Sequence, residues 1–269
     1  MVLEQLLDRK LVVLHFPFVF ILSMLYVFVA YAVQVLFFPG QSIATVLLLT
    51  ILLVPSLHHL IVIEERIERS GASHFWKRHH TIIKCYFGAF LGILMGFLVL
   101  GFVNSETLGF QIDELEQEHL KPSVIESFAG QPYTPDFNTV LALFSHNVKY
   151  LLIGFVLSIF YGAGAAFLVA YNASVFAAFV IEVFSRWASA LQMVGLSLLH
   201  LLPESAGYIL TAMAGATLSR AIIHEKLAGQ EFRNVLKNCF LLLVLSIIFV
   251  FLAAFIESYI TANYFHRLV

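Results

Sequence analysis

The chain alternates long apolar runs with short polar segments, and the runs exceed the usual length of helices in soluble proteins. Apolar segments cover about 13–38, 42–63, 82–103, 148–171 and 238–262. A helix that crosses the hydrocarbon core of a bilayer needs about 20 predominantly apolar residues. The pattern therefore predicts an all-α fold, a polytopic helical transmembrane bundle.

The stretch 173–223 is also apolar, but polar residues interrupt it at Glu182 and Arg186 and again at His200–Glu204. To join the spans on either side, this stretch must cross the membrane and return. It does so either as two full spans or as a re-entrant pair, which gives five to seven spans in total. We expect a broken or re-entrant helix pair, with His200–Glu204 at the turn and Pro203 in the first turn of the following helix.

Composition excludes a soluble domain. The 269 residues are 60% hydrophobic and 12% charged, with a mean hydropathy of +0.90, whereas about a quarter of a soluble domain is charged. No nucleotide-binding loop, nucleophile elbow or nucleic-acid module occurs. We therefore expect no nucleic-acid partner, no cofactor and no catalytic residue. Cys85 and Cys239 stand alone and are predicted to be buried apolar side chains rather than metal ligands.

Basic residues set the predicted orientation, because cytoplasmic loops carry an excess of lysine and arginine. They concentrate at the N-terminus, in 64–84 and in 220–237, whereas 104–147 is strongly acidic. The predicted protein lies in the cell membrane with a cytoplasmic N-terminus and an external C-terminus. Its predicted regions are a three-span region 1–103 with a basic cytoplasmic linker 64–80, an acidic external loop 104–147, and a membrane core 148–269.

Three ionisable residues within the apolar runs form the main candidate site: His200, Glu204 and Glu257. Charge at membrane depth costs about 2.5–3.5 kcal/mol on insertion scales, so such groups are usually paired or functional. The last span ends on the side where the His200–Glu204 turn is expected, so the three side chains are expected to meet there. They either form a structural clamp of hydrogen bonds or support ion or proton chemistry. No metal site is assigned.

Other polar residues have structural interpretations. Glu182 and Arg186 have the i,i+4 spacing, with the acid first, that favours an ion pair on a helix. Asn147 and Asn172 bracket the apolar run 148–171 and are predicted to act as capping or turn residues.

Small residues recur at helix-packing intervals in two segments. Gly162 and Gly164 lie in one, and Gly207 and Gly215 in the other. Small residues four apart allow membrane helices to approach closely. These glycines predict either packing inside the chain or a homodimer interface.

The second half of the chain resembles the stage II sporulation protein M family, especially its archaeal branch. The resemblance is carried by His146–Lys149, Phe160–Gly164, Tyr171–Val175, His200–Glu204 and Phe255–Thr261. Leu201 stands where the family usually has glycine.

The resemblance implies an integral membrane protein that is not an enzyme and acts as a scaffold or assembly component at the cell envelope. Its expected partners are the lipid bilayer and either a second copy or a membrane-protein complex. The alternative is a proton-coupled or cation transporter that uses His200, Glu204 and Glu257. An intramembrane metallohydrolase is less favoured, because a second histidine and a separate general base are missing.

Overall fold

The computed structural model describes residues 16–69, 75–118, 136–160, 164–186, 190–227 and 229–261. This part of the chain contains eight α-helices and no strand. The helices are α1 Phe16–Phe37, α2 Ile43–Arg69, α3 Phe75–Val103, α4 Gly109–Glu118, α5 Phe137–Phe160, α6 Gly164–Arg186, α7 Ala190–His224 and α8 Gln230–Ile256. A 3-10 turn, Ser105–Leu108, precedes α4, and a π-helical turn, Glu257–Thr261, extends α8.

The predicted fold class is confirmed. In the described part of the chain, six helices are long and apolar enough to cross a membrane, namely α1, α3, α5, α6, α7 and α8. A shorter apolar segment, Ile43–Leu57, forms the first part of α2. Buried apolar residues of all seven helices join in one continuous core. The chain is an all-α polytopic membrane protein.

The direction of α2 follows from the packing of its two neighbours. Close contacts join Gly88 of α3 to Phe16, Gly92 to Phe20, and Gly96 to Val27. Residue numbers rise together along this interface, so α1 and α3 run parallel. The α2 helix must therefore return across the bundle between them.

A tight turn at Pro39-Gly40 connects α1 to α2. Gly40 adopts a left-handed φ of 77° between α1 and α2, a conformation that glycine adopts without steric cost.

The predicted span 148–171 is wrong, because the chain reverses inside it. The α5 helix ends at Phe160 and α6 begins at Gly164. Contacts between Gly154 and Leu168 and between Leu157 and Gly164 show that the two helices are antiparallel. The residues between them, 161–163, are Tyr-Gly-Ala. This segment carries no charge, so hydropathy does not reveal the reversal.

The predicted break at His200–Glu204 is also wrong. The α7 helix continues through Pro203 for 35 residues, from Ala190 to His224. At 1.5 Å per residue it is about 50 Å long, well above the roughly 30 Å of a hydrocarbon core. Proline is tolerated inside membrane helices because neighbouring groups satisfy the backbone that it frees. The chain therefore crosses as two full helices, α6 and α7, rather than as a re-entrant pair.

Hydrogen bonds between side chains and backbone hold α7 against α8. The Thr211 and Ser246 hydroxyl oxygens lie 2.6 Å apart, and the Ser246 hydroxyl donates to the Gly207 carbonyl at 2.6 Å. The Cys239 thiol donates to the Ala214 carbonyl at 3.3 Å. Both cysteines are buried, Cys239 and Cys85 alike, as predicted.

The two ends of the bundle differ in charge. At one end Arg69 of α2 contacts Glu225 at 3.0 Å and Glu231 at 2.7 Å, which joins α2 to the connection between α7 and α8. Several basic residues belong to the same end. At the other end the Ser42 hydroxyl accepts from the Phe110 backbone N–H at 2.8 Å, which brings α4 of the acidic segment over the start of α2.

Candidate ligand-binding cavity

A cavity of about 590 Å³ lies among α5, α6 and α7, with contributions from α4, the start of α2 and the end of α8. Its size falls within the 300–1,000 Å³ that is usual for small-molecule sites. Apolar side chains form most of the wall. The polar residues that line it are Glu114, His146, Asn147, Tyr150, Tyr171, Asn172, His200, Glu204, Ser205, Tyr208 and Glu257.

The cavity is elongated along the helices. On α5 its lining residues extend from Leu143 to Leu157, and on α6 from Phe167 to Phe179. At a rise of 1.5 Å per residue these stretches measure about 21 Å and about 18 Å. The cavity therefore follows the helices for more than half of a hydrocarbon core's thickness.

Two carboxyl groups lie on the wall of this cavity. Glu204 of α7 and Glu257 at the end of α8 are close enough to interact electrostatically. The Tyr208 hydroxyl, one turn after Glu204, donates a hydrogen bond to the Glu204 carboxylate. Glu257 differs, because no hydrogen-bond donor within the described residues reaches its carboxyl group.

His200 lines the same cavity. Its described hydrogen bond goes to Thr261 and not to either carboxyl group. Its Nδ1 lies 3.1 Å from the hydroxyl oxygen of Thr261. Thr261 ends the π-helical turn that Glu257 begins. Such turns are frequent at functional sites. The contact anchors this turn against α7, one helical turn away from Glu204.

The α4 helix covers one end of the cavity. The Tyr171 hydroxyl of α6 donates to the Glu114 carboxylate of α4. Next to it, the Gln111 amide donates to the Ser174 hydroxyl at 3.1 Å. Gln111 is fully buried, although its own carbonyl oxygen has no partner within the described part of the chain. Part of the predicted loop 104–147 is therefore a helix that packs onto the bundle.

The capping or turn roles predicted for Asn147, Asn172 and Pro203 do not fit the structure, since all three lie inside helices. The Asn172 amide donates to the Leu168 carbonyl at 2.7 Å. Both asparagines line the cavity. The sequence suggested helix ends at these asparagines because they bracket an apolar run. A polar residue that faces an internal cavity interrupts an apolar run in the same way as a residue at a helix end.

The cavity lining contains acidic residues but no lysine or arginine among the described residues. Among the described residues that line the cavity, three are glutamates and none is lysine or arginine. In the described residues, no three histidine, cysteine or acidic side chains converge as metal ligands. The geometry therefore suits a proton or a cation bound through few contacts more closely than a coordinated metal ion.

Three of the four predicted packing glycines make internal contacts. Gly164 approaches the Leu157 backbone, Gly207 approaches Ser246 and Val250 of α8, and Gly215 approaches Phe155 and Ser158 of α5. These contacts agree with packing inside the chain. Gly162 lies outside the described residues.

The predicted ion pair of Glu182 with Arg186 stays a prediction. Glu182 is buried in α6, but the side chain of Arg186 is not among those that the structure describes.

The sequence interpretation missed several cavity residues, above all the tyrosines Tyr150, Tyr171 and Tyr208. Tyrosine is common in membrane helices, and its hydropathy does not mark it as functional. Glu114 and His146 were also missed, because both lay in a segment interpreted as an external loop. Spacing supplied one usable signal, since Tyr208 follows Glu204 by four residues and shares its helix face.

The family comparison covers most of this site, except for its lining residues on α2. The family model of Stage II sporulation protein M matches residues 79–262. The chain belongs to this family. Every polar residue of the cavity lining falls inside the range that the family model matches. No curated protein and no solved structure matches the chain.

The structure also bears on Leu201, where the resemblance led us to expect glycine. Leu201 lies within α7, and within the described residues the only positive φ belongs to Gly40. Leucine therefore fits this backbone without strain.

Proposed function

We propose that this member of the family is a non-enzymatic membrane protein that carries a proton or cation through its C-terminal bundle. The single observation behind this proposal is the elongated cavity with Glu204 and Glu257 on its wall. Ionisable residues inside a membrane bundle usually face a pathway or a binding site. This is the transporter alternative that the sequence left open.

Electrostatics supports the proposal. Two carboxylates that face each other away from bulk water repel, so a proton or a cation stabilises the pair. The lining offers no lysine or arginine among the described residues. The neutralising charge must therefore be a proton or come from a ligand.

The test is flux through the purified protein in lipid vesicles. Vesicles loaded with a pH-sensitive dye report proton uptake under an imposed negative inside potential, and radioactive sodium reports cation uptake. We expect wild-type uptake of at least one of these ions above that of protein-free vesicles. Glu204→Gln and Glu257→Gln are expected to reduce it to the protein-free rate.

A matched control separates the cavity carboxyls from carboxyls in general. Glu106 lies outside the cavity and is exposed, so Glu106→Gln makes the same chemical change and is expected to leave flux intact. Uptake at the protein-free rate for both ions, or wild-type flux in both cavity variants, contradicts the proposal.

The scaffold role at the cell envelope stays a prediction supported by family membership. The small residues that suggested an assembly surface make contacts inside the chain instead: Gly164, Gly207 and Gly215. The orientation is likewise proposed. A cytoplasmic N-terminus and an external C-terminus follow from the basic end of the bundle.

A further inference from the structure

We infer that the cavity binds an organic cation, namely an amine whose ammonium group lies between Glu204 and Glu257 and whose apolar body lies along α5 and α6. This inference rests on the proposed function and adds the chemical class of the ligand. It depends on the cavity's volume, on the state of Glu257 and on the apolar wall.

Volume decides against an inorganic ion as the sole occupant. A cavity of about 590 Å³ is many times larger than the space of one water molecule, roughly 30 Å³. A small ion would leave most of the apolar wall facing water. No group of three metal-ligating side chains occurs within the described residues. The shape therefore requires a ligand with a substantial apolar part.

Glu257 provides the second observation. Its carboxyl group is on the cavity wall, inside the bundle, and within the described part of the chain it receives no hydrogen bond. Glu257 is partly buried, and a carboxylate that is partly shielded from water and lacks a donor carries a desolvation cost that a ligand donor removes. An ammonium group supplies both the positive charge and the N–H donors.

Apolar side chains of α5 and α6 form the surface against which the apolar part of the ligand would pack. Ile153, Leu157 and Leu168 line the cavity on α5 and α6, and the rings of Phe167 and Tyr171 are stacked with their centroids 5.5 Å apart. Aromatic faces attract cations and pack against hydrocarbon or aryl groups. The described lining has no basic residue to receive a phosphate, so a zwitterionic phospholipid fits less well than a simple amine.

The experiment compares three probes that share the same phenylbutyl group and differ in the charge of the attached polar group. They are 4-phenylbutylamine, which is cationic, 4-phenylbutanol, which is neutral, and 5-phenylpentanoate, which is anionic. Equilibrium dialysis against the purified full-length protein in detergent, with protein-free micelles as the blank, measures saturable binding. We expect saturable binding of the amine and none of the alcohol or the acid.

Variants then locate the binding site. Glu257→Gln and Glu204→Gln are expected to weaken amine binding about tenfold or more, which corresponds to about 1.4 kcal/mol or more. Glu106→Gln is expected to bind as the wild type does. Equal binding of all three probes, no saturable amine binding, or unchanged affinity in both cavity variants overturns the inference. The wild-type probe comparison remains decisive even if a variant fails to fold.

The two proposals fail separately. Proton or sodium flux without amine binding overturns the organic cation and leaves the proposed transport in place. Saturable amine binding that depends on Glu257, without flux of either ion, supports the ligand class and contradicts transport of those ions.

Discussion

The residues predicted as one polar cluster have two different surroundings. His200 is buried, and its hydrogen bond to Thr261 joins α7 to the end of α8. Glu204 and Glu257 line the same cavity as His200, but neither contacts Thr261 through a hydrogen bond. The clamp alternative thus suits the histidine, and the ion or proton alternative suits the two carboxyl groups. Residue type and spacing alone do not separate these roles, since both require buried polar groups.

The His200–Thr261 contact is testable by a double-mutant cycle. His200→Ala and Thr261→Val each remove one partner, so we expect the two effects on the free energy of unfolding to be non-additive. The expected coupling is about 0.6 kcal/mol, the average for hydrogen bonds between membrane helices. Thermal or denaturant unfolding in detergent measures it.

A cycle between His200→Ala and Thr217→Val provides the control. The Thr217 hydroxyl bonds within its own helix, to the Met213 carbonyl, so these two changes should add within about 0.3–0.5 kcal/mol. Additivity in the His200–Thr261 cycle as well would show that the contact contributes nothing measurable.

At the scale of elements, glycine determines how closely the helices approach. Gly88, Gly92 and Gly96 form a stripe on α3 that packs along α1. A Cβ atom at Gly92 would clash with the Phe20 carbonyl oxygen, and because this oxygen belongs to the backbone, no side-chain adjustment relieves the clash. Close packing replaces the hydrophobic effect as the main attraction between membrane helices, so this stripe sets the position of α1.

Alanine at Gly92 is therefore expected to destabilise the protein by about 1–3 kcal/mol, the usual cost of overpacking. Gly195 in α7 is the matched control, because a Cβ there would meet nothing within 4 Å. Gly195→Ala should leave the melting temperature unchanged or slightly higher, since alanine favours helix. Equal melting temperatures for the two variants would contradict the observed packing of α1 on α3.

At the scale of the whole molecule, one continuous core joins seven long helices, and Glu204 and Glu257 lie on a cavity among them. Arg69 with Glu225 and Glu231 lies at one end, while α4 and its acidic residues lie at the other. Seven crossings, with α2 counted as one, predict chain termini on opposite sides of the membrane. The excess of basic residues predicts which side is cytoplasmic.

Single-cysteine labelling tests this orientation. Glu106 and Lys226 are exposed at opposite ends, whereas the native Cys85 and Cys239 are buried. With a membrane-impermeant maleimide on intact cells, we expect labelling of Glu106→Cys and labelling of Lys226→Cys only after permeabilisation. The reverse pattern would invert the proposed topology, and labelling of both variants on intact cells would rule out an odd number of crossings between them.

Hydropathy predicted the class of fold because crossing a bilayer demands long apolar helices whatever their neighbours are. It located α1, α3 and α8 well for the same reason. It failed at 161–163, an uncharged segment between α5 and α6, and at Pro203, which lies inside α7. No polar residue marks the reversal at 161–163, whereas at Pro203 the neighbouring polar residues His200 and Glu204 line the cavity instead of marking a helix end.

The candidate site was likewise predictable from the sequence only in part. Costly charges in apolar runs identified Glu204 and Glu257 from the sequence, since a membrane rarely retains such groups without a role. The cavity itself depends on how α5, α6 and α7 pack, and Tyr171 and Glu114 meet only because α4 folds over the bundle. Membrane insertion is a property of each segment and can be determined from local sequence. A cavity is the space left between segments, so its existence, shape and lining depend on their three-dimensional arrangement.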